Sequence, residues 1–501
     1  MIPSNTIFKD NAMRRLIMIT IVCLLTASLT AQDDDWSKRV RDSQENARKE
    51  YEQFRQQAKQ DYTDFRRRAN EEYAQFMENP WTAFERQPAE EIPKLPKPPT
   101  PILVDPNLYP EPLLIPFESK PQSPIPIDHP QPIEPFISAP QPNTPETIVR
   151  FYGTDIAIHF SATKPLHMKD ATESSASALW KQLSAPEYDI LIAECLKTRD
   201  NLNLCDWGYV MLTEQVAEAF CGGHNNEAVV LHMYLLTQSG YQMRIGRADE
   251  KLYALVGSDA KIYHYSYYRI NNLKYYCFDK SIERKSLDIF NRAFPKEKTM
   301  SLEISQPRLA VKKTALKTLT SKRFSSVKAT VVLNQNLIDF YNSCPLNSEW
   351  ELYSKASLSD LAKESLYPVL RKAIAGKTQA QAANILIDFV QTGFEYATDQ
   401  QQFGYERPLY PDEALYYPFC DCEDRSILFA CLVRELMGLD VVFLDYPEHL
   451  ATAVHFTENV NGDYLVLEGN RYIVCDPTYI GAEIGMSMPK MRKYNPLVVT
   501  F

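Results

Sequence analysis

Three residues near the end of the chain have the types and spacing of a nucleophilic site. Cys422 stands just ahead of an apolar run in FCDCEDRSILFACLVRELMG (419–438), His449 opens the alternating stretch in EHLATAVHF (448–456), and Asp476 closes RYIVCDPTY (471–479). A thiol, a base and a carboxylate that orients the base are the parts required for acyl transfer through a covalent intermediate.

The elements that must position these groups can be read locally. Pro418 and the polar Asp421 stop any earlier helix, and Ile427, Leu428, Cys431, Leu432, Val433 and Leu436 then recur at helical spacing. Cys422 is therefore expected in the first turn, where unsatisfied N–H groups and the positive end of the helix dipole favour a thiolate and lower its pKa. Cys431 falls out of phase with it and reads as a core residue. In HLATAVHF, His449 and His455 share one strand face but lie about 20 Å apart at ~3.3 Å per residue, so only one can reach Cys422. His449 is favoured because it follows directly on a loop. Asp476 ends a strand before Pro477, with Glu468 as the alternative partner for the imidazole and Cys475 on the opposite face. The backbone N–H of Cys422 is one candidate oxyanion donor, and Gln391 is a second. Cys420, Cys422, His449 and Cys475 are also the right types for zinc, but the Cys-x-Cys gap is short and Cys475 should face away. The reading therefore assigns no metal and no cofactor.

Cys422-x-Asp424, the helix ending Arg434-x-Leu436-x-Gly438, a histidine opening a strand, and Gly469-x-x-Tyr472-x-x-x-Asp476-Pro477-Thr478-Tyr479 resemble the transglutaminase-like superfamily. Asp421-Cys422-Glu423-Asp424 is similar to its bacterial transglutaminase-like cysteine peptidase branch. The resemblance implies an α+β fold with a papain-like transglutaminase core, in which a helix bearing the cysteine packs on an antiparallel sheet. It also implies catalytic roles for Cys422, His449 and Asp476, and a peptidase, amidase or transglutaminase-type reaction on a peptide or protein substrate. A non-catalytic scaffold built on the same fold is the alternative. Cys420 replaces the family's usual glycine, and the interval from histidine to aspartate is lengthened around ENVNGDYLVLE.

The rest of the chain reads as delivery and scaffolding. Its 501 residues, 45% hydrophobic, are enough for more than one core. A net charge of −10 without a basic face argues against a nucleic-acid partner. Residues 1–31 read as a signal peptide, with Arg14 and Arg15 ahead of an apolar run too short to span a bilayer. This predicts export to the periplasm or cell exterior and no stable membrane span. Residues 32–79 repeat every 11 residues (ARKEYEQFRQQ, AKQDYTDFRRR, ANEEYAQFMEN), which gives a helix with one aromatic and alanine stripe. That stripe can dock on its own protein or self-associate through residues 36–79, as in a coiled coil. Residues 80–145 hold more than half of the 34 prolines and read as an extended spacer that contributes no core, although Leu113 to Phe117 can strap onto a surface.

Residues 146–295 carry a weak internal echo of the last domain, a degenerate transglutaminase-like copy. Asn225, Glu227, Leu231, Leu235 and Asp279 match Cys422, Asp424, Leu428, Leu432 and Asp476, which puts Leu252 in the place of His449. On this register the first copy lacks both thiolate and base. Cys221 and His224 lie nearby, His224 in a loop with no evident partner. Residues 296–345 form a β-rich connection including MSLEIS, with Lys312, Lys313, Lys317, Lys322 and Arg323 on a solvated face. Residues 346–501 form the catalytic domain.

Overall fold

The computed structural model describes residues 34–87, 102–105, 111–119, 130–132, 145–160, 165–282 and 286–501, with only the helical backbone described for 34–40. The signal-peptide reading lies outside these residues. Among the described residues no helix is long and apolar enough to cross a membrane. The chain divides into two compact units, residues 1–68 and 69–501.

In the first unit the first two 11-residue repeats are helical, part of a helix running Asp34–Met77. Pairs three or four residues apart brace it, such as Lys49–Glu45 at 2.8 Å and Gln57–Asp61 at 2.8 Å. The stripe residues Tyr51, Phe54, Tyr62 and Phe65 stay exposed. In the second unit the end of the same helix is buried through Ala69, Tyr73, Ala74 and Met77. Here the Asn70 side chain bonds Gln238 and accepts from Trp180 Nε1 at 3.1 Å, and the Tyr73 ring packs 4.8 Å from Trp180.

The second unit is mixed α+β and is built on two six-stranded sheets with the same strand order. The first runs Thr82–Phe84, Leu287–Phe290, Met243–Ala248, Lys251–Ser258, Leu273–Cys277, Ser266–Ile270. The second runs Glu118–Ser119, Leu497–Val499, Val441–Tyr446, His449–His455, Asn470–Cys475, Tyr464–Leu467. All pairings are antiparallel except Leu497–Val499 with Glu118–Ser119. One apolar helix precedes each central hairpin, Asn226–Gln238 in the first half and Cys422–Met437 in the second. Each packs on the hairpin that follows, because its Leu and Val side chains and the inward residues of the two strands can only leave water together.

Three sequence expectations are corrected. The proline-rich stretch is not only a spacer: Thr82–Phe84 and Glu118–Ser119 each complete a sheet, and Ile115 is buried with Leu444, Ala451, Val474 and Tyr479. These pieces avoid proline at the paired positions, so their N–H groups are free to pair. MSLEIS is not a strand, since Ser301 donates its N–H to Asp206 Oδ2 at 2.8 Å instead of entering a ladder. The basic residues of this region are not all solvated. Lys317 Nζ donates to the carbonyls of Leu415 and Tyr417, and Arg323 to Glu483 and the Gly481 carbonyl.

Candidate active site

Cys422 is the first residue of its helix, His449 the first of its strand, and Asp476 directly follows the Asn470–Cys475 strand. Two adjacent strands thus bring His449 and Asp476 together, and the helix end sets Cys422 near the start of the same strand without a hydrogen bond to His449. The Tyr446–His449 pair closes the central hairpin, and continuing the neighbouring ladder sets Asp476 opposite Ala451, two residues beyond His449 on the same face. His449 Nε2 lies 2.9 Å from Asp476 Oδ2, while Nδ1 is buried without a hydrogen-bond partner. The backbone N–H of Leu450, next to His449, is close enough to the Cys422 sulfur to favour its charged form slightly, and one turn along Ser426 Oγ donates to the Leu450 carbonyl at 2.8 Å. The first turn of the cysteine helix is therefore tied to the start of the histidine strand through Ser426.

The electrostatics differ from the expectation of a helix-stabilised thiolate. Cys422 is 3% exposed, and burial, followed by the Glu423 and Asp421 carboxylates, holds its thiol well above the ordinary range. The thiol donates to Glu423 Oε2 at 3.0 Å. A helix end contributes about half a unit charge at most, too little to offset the loss of solvation at a buried sulfur. The resting group is a thiol.

Those carboxylates belong to a larger cluster. Asp399, which opens the short helix Asp399–Gln402, and Glu406, from the loop after it, converge with Asp421 and Glu423 so that one oxygen of each lies within 4.8 Å of the others. All four are held above the usual carboxylate range, by burial first and by one another second, except that for Glu406 the second influence is its hydrogen bond with Glu423, which opposes the rise. Asp421 Oδ1 and Glu423 Oε1 are buried with no partner. Unsatisfied buried carboxylate oxygens are costly, and four converging oxygens suit a hard divalent cation. Nothing in the spacing of these residues marked them in the sequence, because two come from a segment 15 to 24 residues upstream.

The other candidates are placed apart from this centre or in different roles. His455 bonds the Arg471 carbonyl at the far end of the strand, and Glu468 sits exposed in a hairpin turn with φ 52°. Gln391 is not an oxyanion donor. Its amide nitrogen is spent on the carbonyls of Asp476, Tyr479 and Ala482, and its oxygen accepts from the Gly481 N–H. It holds the loop that follows Asp476. The zinc-type set does not assemble: Cys420 Sγ points at the Ala414 carbonyl and Cys475 Sγ at the Ile473 carbonyl. All nine described cysteines are free.

The first half repeats this scaffold with different side chains, one residue away from the register read in the sequence. Asn225 is the helix cap, and the counterpart of Cys422 is Asn226, the first residue of its helix, whose Oδ1 accepts the N–H of Leu252 at 2.9 Å. The hairpin closes on Ala248–Lys251, so Lys251 rather than Leu252 stands where His449 does. Lys251 Nζ lies 3.0 Å from Asp279, an ion pair in place of the histidine–aspartate bond. His224 is not without partners, since its nitrogens meet Glu218 at 2.7 Å and Asp279 at 3.2 Å.

Compared with protein-family models, with curated proteins and with solved structures, the chain matches none.

Proposed function

We propose that the chain is a transglutaminase-like, papain-type cysteine enzyme that transfers acyl groups from peptide or amide bonds, with Cys422 as nucleophile, His449 as base and Asp476 as the group that orients the base. The observation that carries this is the imidazole itself, bound to a carboxylate through Nε2 and left with an unpartnered, buried Nδ1, on a strand whose start is tied to the first turn of the cysteine helix by Ser426. With Nε2–H fixed by Asp476, Nδ1 takes the thiol proton as sulfur attacks the carbonyl carbon. The oxyanion is received by the Cys422 N–H at the helix end. Protonated His449 then gives its proton to the leaving amine, and water or another amine releases the acyl group.

Because the thiol is bonded to Glu423 at rest, substrate or a cation must first draw that carboxylate away. The same burial supports a second reading, a non-catalytic scaffold that keeps the fold for binding. Labelling with iodoacetamide or a vinyl sulfone near neutral pH, followed by mapping, separates the two. Acylation confined to Cys422 and dependent on His449 supports the enzyme, whereas labelling spread evenly over the cysteines, or absent from Cys422, overturns it. The exposed aromatic stripe at Tyr51, Phe54, Tyr62 and Phe65 supports self-association, checked by sedimentation of a Tyr51→Ser/Phe54→Ser variant. The sequence of residues 1–31 supports export.

A further inference from the structure

We propose that the first half of the second unit carries a transition-metal site of the zinc type, formed by Glu214, Glu218 and His224. Glu214 and Glu218 stand four residues apart on the Asp206–Cys221 helix and so share a face. The helix ends at Gly222 with φ 74°, and Gly223 follows at φ 138°, conformations that turn the chain back and bring His224 over that face. One donor atom from each of the three residues lies within 4.8 Å of the other two.

The surroundings favour an ion over a closed salt bridge. Asp279, itself held by Lys251 at 3.0 Å and by the Ser281 N–H at 2.8 Å, faces His224 Nε2 at 3.2 Å. That is the outer carboxylate that fixes the tautomer of a ligating histidine and turns its other nitrogen to the metal. Nδ1 shares a proton with Glu218 at 2.7 Å, and a divalent ion binding there displaces this proton. Glu214 takes no hydrogen bond from any described residue. Beside the three groups lies a cavity of about 30 Å³, room for one ion or one water, walled by Met211, Val229 and Phe278. His232, 6% exposed, lines the same cavity, and its Nδ1 meets Thr213 Oγ1 at 3.3 Å. Two carboxylates and two imidazoles around one small cavity supply the donors a transition metal takes. One or two imidazoles with carboxylates suit zinc, whereas the oxygen-only cluster beside Cys422 suits a hard cation. Two glutamates and one divalent ion also cancel in charge.

The test is zinc binding to the full chain in a Cys422→Ser background, followed by calorimetry, with cobalt absorption as a second readout. One equivalent is expected to bind and to give the visible bands of cobalt in a mixed nitrogen and oxygen site. His224→Ala and Glu218→Gln should each weaken zinc by about 100-fold or more, and Asp279→Asn by about 10-fold, while Glu423→Gln leaves the affinity unchanged. All four positions are checked by thermal melting; Glu218→Gln is isosteric and half-exposed, so it reports even where His224→Ala alters the fold. Absence of zinc binding, unchanged affinity in both His224→Ala and Glu218→Gln, or loss only in Glu423→Gln overturns the proposal.

Discussion

The two halves of the second unit share a sheet order, a helix before each central hairpin and an acid after the same strand, yet they differ in the connection that precedes the helix. In the first half, four residues, Gly222 to Asn225, link it to the preceding helix; in the second, residues 393–421 intervene. The short link keeps His224 beside Asp279. The long one instead brings Asp399 and Glu406 to the acids beside Cys422 and buries two further acids, Asp412 and Glu413. The scaffold thus fixes where a site can form, and the inserted loop decides its electrostatics.

The sharpest way to break the comparison is to exchange the residues at matching places. Cys422→Ala should abolish covalent labelling by an electrophile, and His449→Ala should slow it by about 10²–10⁴-fold, while Asn226→Ala and Lys251→Ala leave it intact; inactivation rates with mapped adducts decide this. A smaller effect follows from the buried acids of the inserted loop. Burial raises Asp412 to about 6 and Glu413 to about 7. An acid whose folded pKa lies above its unfolded value contributes stability that is full below about 4 and is lost as the pH rises through the folded value. Denaturant melts should therefore show the second half losing up to roughly 3 kcal/mol from each group between about pH 4 and 7, and Asp412→Asn should flatten that slope.

A cation should offset the repulsion around Cys422. Calcium at about 100 times its dissociation constant is expected to stabilise by about 2.7 kcal/mol, an effect lost on chelation and in Glu423→Gln, with the melting temperature as readout. Smallest is Gln391→Ala, expected to cost about 1–3 kcal/mol by leaving buried carbonyls unpaired and to slow Cys422 labelling by loosening the Asp476 loop; unchanged labelling would mean that Asp476 is held without it.

Much of the second half was legible because its signals are local. Pro418 and Asp421 stop a helix, apolar spacing starts the next, and Pro477 ends a strand, which together place Cys422, His449 and Asp476. The acidic cluster was not legible, since Asp399 and Glu406 meet Asp421 and Glu423 only through loop packing. The thiol's electrostatics were misread for the same reason. In the first half the apolar offsets aligned Asn225 with Cys422, but asparagine caps helices well and took the cap position, which moved the true counterpart to Asn226. The hairpin closure, invisible in composition, moved the histidine's counterpart to Lys251. The proline-rich stretch hid its two short strands because its proline content dominates any window that contains them.

Those two strands have a consequence for how the protein stays dispersed. Thr82–Phe84 covers Leu287–Phe290, and Glu118–Ser119 covers Leu497–Val499, so each sheet closes one border with a short piece of the same upstream segment. A chain beginning near Glu146 would keep every residue around Cys422 but bare both borders, each a row of unpaired N–H and C=O groups able to recruit a strand from another molecule. Such a truncation should form intermolecular sheet and precipitate even where Cys422 still takes an electrophile, which makes the segment a guard against aggregation as well as a connection.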